Sequence, residues 1–144
     1  MSSVAPIPEH LRTVTPQLIV ADGAGAIAFY RAAFDAQLLD QPFCGPQGEV
    51  IHAEIRIGDS VVMLTEEKDG PPAHPNAVMA TYWRDVDSAW ERALAAGAEV
   101  IFELADQFYG ERGGRLRDPF AQQWMMSQRI ESLTHEQVRA RAGG

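Results

Sequence analysis

The chain has 144 residues, 46% of them hydrophobic and 22% charged, with a formal net charge of −8 and a pI near 4.9. This is the composition of a folded globular domain and not of a disordered tract, and its acidic balance argues against a nucleic-acid partner, which needs a basic face. The single cysteine, Cys44, excludes a disulfide framework or a multi-cysteine zinc site, and no apolar run nears the roughly 18–20 residues of a membrane span; a cytoplasmic protein with no membrane partner is expected.

Residues 1–12 are polar and carry Pro6 and Pro8, which reads as a flexible N-terminal segment. From Thr13 the stretch "TVTPQLIV" is β-rich. "DGAGAIAFYRAAFDA" follows as a short helix, with Asp22 as its N-cap, Ile27, Tyr30, Arg31 and Phe34 at helical spacing, and an end near Asp35. "QLLDQPF", "GEVIHAEIRI" and "SVVMLTEE", separated by the turn signals "GPQG" and "GDS", read as three antiparallel strands. These complete a first module over 13–67. "EEKDGPPAHPN" has three prolines and no apolar period, and residues 68–77 are read as a linker.

The order then repeats over 78–129. "AVMATYW" reads as a strand, and "DVDSAWERALAAG" as a helix capped by Asp85 and stopped at Gly97. "AEVIFEL", "YGERGGRLRD" and "QQWMMSQ" are three more strands. A long period met only twice indicates a duplicated βαβββ module and not a solenoid. Residues 130–144 form a tail with a short helix starting at Thr134.

The stretches "TPQLIVADGAGAIAFYRAAFDAQ", "GEVIHAEIRIGDSVVMLTEE", "DVDSAWERALAAGAEV" and "DQFYGERGGRLRDPFAQQW" together resemble the vicinal oxygen chelate superfamily of glyoxalases, bleomycin resistance proteins and extradiol dioxygenases, and within it the PhnB-like branch. The resemblance implies an α+β fold, with two βαβββ modules forming a curled mixed sheet around a cleft, and a homodimer. It also implies a test. Metal-dependent members bind a divalent ion through two side chains per module. In this chain those positions fall on Thr15 to Gln17, on Met63 or Leu64, on Val78 to Ala80 and on Met125, which offer no set of hard ligands. No metal and no other cofactor is therefore expected, unless a relocated site uses His52, Glu54 or Glu66.

In "IHAEIR", strand alternation puts His52, Glu54 and Arg56 on one face and Ile51, Ala53, Ile55 and Ile57 on the other. His52 with Glu54 is the candidate acid–base pair, since an imidazole titrates near neutrality; the same alternation also describes an ordinary solvated face. Arg115 and Arg117 share a strand face. Such an arginine either recognises a carboxylate or phosphonate through its planar fork, or pairs with Asp106, Glu111 or Asp118 to fix the hairpin. Phe108 and Tyr109 point opposite ways. Trp83, Tyr82, Trp124, Met63, Met79, Met125 and Met126 are core residues or the walls of an apolar cavity. Cys44 has no base beside it.

The first reading is a metal-free, bleomycin-resistance-like protein that binds a small organic molecule in an apolar cleft lined by Met63, Trp83, Tyr109, Arg115, Trp124 and Met125, with His52 nearby. The second is an enzyme of the same fold that uses a relocated metal or the His52–Glu54 pair. The third is an interaction protein whose cleft is plugged by Trp124 and the methionines.

Overall fold

The computed structural model describes residues 4–70 and 77–143. The chain divides into two compact units, Met1–Pro71 and Pro72–Gly144. The boundary falls in the proline-rich stretch read as a linker, of which residues 71–76 lie outside the described residues.

Unit 1 runs β1 (Gln17–Val20), α1 (Gly23–Phe34), β2 (Gln37–Leu38), β3 (Phe43–Cys44), β4 (Val50–Ile57) and β5 (Ser60–Glu66). Its sheet has the order β1-β5-β4-β2, with β3 also on β4; β1 runs parallel to β5, and the other pairs are antiparallel. Helix α1 starts where Asp22 accepts a hydrogen bond from the Gly25 N–H, and ends where Asp35 takes the left-handed conformation at φ 54°. Its buried face, with Ile27, Tyr30, Ala33 and Phe34, belongs to the same core as Leu18, Val20, Ile55 and Leu64.

Two local expectations needed correction here. "QLLDQPF" is not one strand. It breaks at Asp40, whose φ is 137°, and at Pro42, which has no N–H for the ladder, so β2 and β3 are separate two-residue pieces. Ile51 does not join the apolar face and is 55% exposed. The ladder shifts register there, with Phe43 opposite His52 but Cys44 opposite Val50, so that Val50 turns inward and Ile51 outward.

Unit 2 repeats the plan with β6 (Met79–Tyr82), α2 (Val86–Ala96), β7 (Glu99–Asp106), β8 (Glu111–Arg117), β9 (Gln123–Arg129) and α3 (His135–Ala142). The sheet order is β6-β9-β8-β7, again with a parallel pair, β6/β9, beside antiparallel ones. Asp85 caps α2 by accepting from the Ser88 N–H, and Gly97 closes it at φ 118°, where a side chain is disfavoured. Val86, Ala89, Trp90 and Ala93 are the buried face of α2, and Leu116, Trp124 and Met126 are buried from the sheet. Helix α3 buries none of its residues. A capping box at Thr134 and Gln137 starts it, and Arg141 holds it through both oxygens of Glu131 and the Phe108 carbonyl.

The duplication holds at the level of single residues. Across unit 1, Gln17 lies opposite Met63 and Met63 opposite Glu54. Across unit 2, Ala80 lies opposite Met125, Met125 opposite Arg115, and Arg115 opposite Phe102. Neighbours of Met63 and Met125 along their strands, Leu64 and Trp124, are buried on the helix side, so these rows occupy the other face of each sheet.

Candidate functional site

Each unit has a recess lined by side chains of that second face. In unit 1 it has a volume of about 490 Å³ and is lined by His10, Phe43, His52, Glu54 and Arg56, with Leu39, Asp40, Gln41 and Ala53 completing the wall. His52 and Glu54 are two residues apart on β4, which puts both on this face. The Nε2 of His52 lies 3.0 Å from Glu54 Oε2, and the Nε2 of His10 lies 2.6 Å from Glu54 Oε1. One carboxylate is thus held between two imidazoles. The hydrogen bond from His52, and after it the one from His10, hold the Glu54 carboxyl below its ordinary value.

His10 was not among the residues singled out in the sequence. It sits in the proline-containing lead-in, outside any periodic element, and its contact spans 44 residues. Only a titratable residue in an otherwise bland segment could have drawn attention to it.

A lowered carboxylate pKa fixes the sign of a pH effect. The stability contributed by Glu54 is fully present above the ordinary value of 4.5 and is lost as the pH falls through the lower folded-state value. Replacing Glu54 by glutamine is therefore expected to cost about 0.5–1 kcal/mol near pH 6, a small amount because the groups are partly solvated. The gap to wild type should narrow in urea titrations as the pH falls from 4.5 through the lower folded-state value. A gap that does not narrow on acidification below 4.5 would contradict the pairing.

The recess of unit 2 has a volume of about 300 Å³ and is lined by Phe102, Gln107, Tyr109, Gly113, Gly114, Arg115, Met125 and Ser127. Three residues expected at a ligand, Tyr109, Arg115 and Met125, come together here. The Arg115 guanidinium carbon lies 5.2 Å from the centroid of the Phe102 ring. Among the described residues no carboxylate pairs with Arg115, and its Nε is shielded from solvent without an acceptor.

The acids of the hairpin are engaged elsewhere. Asp106 and Asp87 both bond Arg112, which raises the Arg112 pKa and lowers that of Asp87. Glu111 accepts from the Tyr82 hydroxyl at 3.0 Å. Asp118, 3% exposed, accepts from the Phe120 and Gln122 N–H groups and, at 2.9 Å, from the Trp124 indole. The hairpin is fixed by Arg112, on the helix side of β8, and Arg115 is left over on the other.

The other expected contact residues stand apart from these recesses. Trp124 is 1% exposed and packs on the helix side of β9. Trp83 donates its indole N–H to Thr81 Oγ1 at 2.7 Å, with the Arg92 guanidinium 6.0 Å from its ring. Met63 is on the same face as Glu54, its direct neighbour across the ladder, but does not line the recess.

The family resemblance sets its metal-ligand positions in these same rows. They present Gln17 beside Met63 and Ala80 beside Met125. One amide, two thioethers and a methyl group do not suit a hard divalent ion. Of the residues named for a relocated set, Glu66 accepts from the Gly23 N–H at the start of α1, at 2.7 Å, while His52 and Glu54 stand together on β4. Among the described residues no group of three or more His, Cys, Asp or Glu is arranged to hold a metal.

Two units of βαβββ order, each with a parallel outer pair and an open-faced recess, define the paired-module α+β class. The family profile described as Glyoxalase/Bleomycin resistance protein/Dioxygenase superfamily matches residues 9–126, and the chain belongs to that superfamily. It is 36% identical over 137 residues to Mb0911c, an uncharacterized protein of Mycobacterium bovis, covering 88% of this chain and 90% of that one. Among solved structures it is similar to TioX from Micromonospora sp. ML1, with a TM-score of 0.66, 25% identity and coverage of 85% and 100% of the two chains. The PhnB protein from Bacillus cereus shares the fold, with a TM-score of 0.65 at 18% identity over 81% of this chain and 99% of that one.

Proposed function

We propose that this protein binds a small organic molecule without a metal, in the manner of a bleomycin-resistance-like protein that sequesters an antibiotic-like compound or holds a metabolite. The observation that carries this reading is the pair of rows Gln17–Met63 and Ala80–Met125, where two thioethers, a methyl group and one amide stand at the positions that the family resemblance assigns to metal ligands. Met125, Tyr109 and Arg115 are the contacts in unit 2, and Met63 offers a similar surface in unit 1. Trp124 and Trp83 support these surfaces from elsewhere in the fold. A cytoplasmic homodimer is part of the same proposal.

The test is a thermal-shift series. Mn²⁺, Fe²⁺, Ni²⁺ and Zn²⁺ are expected to leave the melting temperature unchanged, while a member of a panel of aromatic antibiotics, thiol conjugates and organic acids raises it by mass action. Stoichiometric metal in the purified protein, removed by His52→Ala, would overturn the metal-free reading.

A second reading is favoured by one observation, the 3.0 Å contact that orients His52 against Glu54 in a recess. A histidine oriented by a carboxylate can take a proton from a carbon acid and return it, the step of an isomerase or lyase. Its test is deuterium wash-in from solvent into a panel of 2-oxo acids and ketones: exchange that disappears in His52→Ala supports it, and no exchange in any of them counts against it.

A further inference from the structure

We propose that the recess of unit 2 is a site for a planar organic carboxylate, with Arg115 as the residue that selects it; this rests on the metal-free binding reading and adds the chemical class of the ligand. Among the described residues, Arg115 has no carboxylate partner. The hairpin carries carboxylates at Asp106, Glu111 and Asp118, and each has another partner. A guanidinium that is partly shielded and has no carboxylate loses hydration without recovering it in an ion pair. Its buried Nε has no acceptor, so an anion arriving from the recess supplies what the fold does not.

The walls define the rest of the ligand. Phe102 lies behind the guanidinium and is itself 60% exposed, offering a flat face beside the cation. Met125 flanks Arg115 across the ladder and gives an adaptable apolar surface. Ser127 and Tyr109 bring hydroxyl groups to the same recess. Gly113 keeps the floor open, because a Cβ there would come within 2.7 Å of Ser127 Oγ. The lining residues include an arginine and two hydroxyls but no acidic side chain. A planar fork matches a carboxylate through two parallel hydrogen bonds. A volume of about 300 Å³ is at the lower end of small-molecule sites, suited to an acid of one or two rings.

The counterpart position in unit 1 sharpens the assignment. Glu54 occupies the place in its row that Arg115 occupies in unit 2, each opposite a methionine. At this row position the cation belongs to unit 2 alone; the arginine of the unit 1 recess, Arg56, stands two residues further along β4.

The experiment measures binding of 1-naphthoate and of its uncharged isostere 1-naphthamide by calorimetry, with wild type and with Arg115→Gln, Arg115→Lys and Arg117→Gln. Wild type is expected to prefer the acid by about tenfold or more. Arg115→Gln should erase the preference by lowering acid affinity more than amide affinity, and Arg117→Gln should retain it. Arg115→Lys keeps charge and stem but not the fork, so it should lose most of the preference even if the glutamine variant folds poorly. Equal binding of acid and amide to wild type overturns the carboxylate assignment and leaves the apolar binding reading standing. Binding of neither compound overturns the assignment and also counts against the broader reading. A preference abolished by Arg117→Gln and not by Arg115→Gln overturns the choice of residue.

Discussion

Asp118→Ala is expected to lower the unfolding free energy by about 3 kcal/mol, because it strands several buried donors at once. Asp118 Oδ1 accepts from the Phe120 N–H at 2.8 Å and the Gln122 N–H at 3.0 Å, while Oδ2 accepts from the Trp124 indole at 2.9 Å. The same residue shapes the β8–β9 turn, where Ala121 bonds back to its carbonyl and adopts φ 69°. Asp118→Asn retains one oxygen but sets an amide N–H₂ against the indole N–H or the turn amides, and should cost about half as much. Urea denaturation with tryptophan fluorescence would check both variants. A cost below about 1 kcal/mol for alanine would mean that the turn is held by something other than this carboxylate.

The second large effect is expected at Gly114. A Cβ there would lie 2.7 Å from Trp90 Cη2, 2.8 Å from the Phe102 carbonyl oxygen and 3.0 Å from Leu104 Cα. Two of these atoms are backbone and cannot rotate away. The close approach arises from the ladder, which pairs Phe102 with Arg115 but Ala105 with Gly113, so that extra β7 residues crowd over Gly114. Gly114→Ala should therefore destabilise by about 2–3 kcal/mol. Gly113→Ala meets mainly the Ser127 hydroxyl, which can turn, and should cost about 1 kcal/mol or less. The order of the two variants in chemical denaturation is the decisive readout; a larger loss at Gly113 would contradict the register.

The elements whose signals are local were legible in the sequence. Asp22 and Asp85 cap their helices and Gly97 ends one, because a cap is decided within a few residues. The period of two brought His52 and Glu54 to one face for the same reason. Trp124 was harder to place. A tryptophan on a strand reads alike whichever side it faces, and its side is set by partners on β6 and β8. The arginines show the same limit: only the fold reveals that Arg112 reaches α2 at Asp87 and that, among the described residues, no carboxylate pairs with Arg115. Ile51 left its expected face through a register shift that no composition signals. Two-residue strands such as β2 and β3 are too short to carry a period.

The duplicated rows have a consequence for stoichiometry. Two modules of one plan suggest two equivalent sites, and a symmetric ligand would be expected to fill both. Here the corresponding positions carry Glu54 in one row and Arg115 in the other, so the two row positions are of opposite charge. On the proposed carboxylate site, one duplicated plan would serve two recesses of different ligand preference.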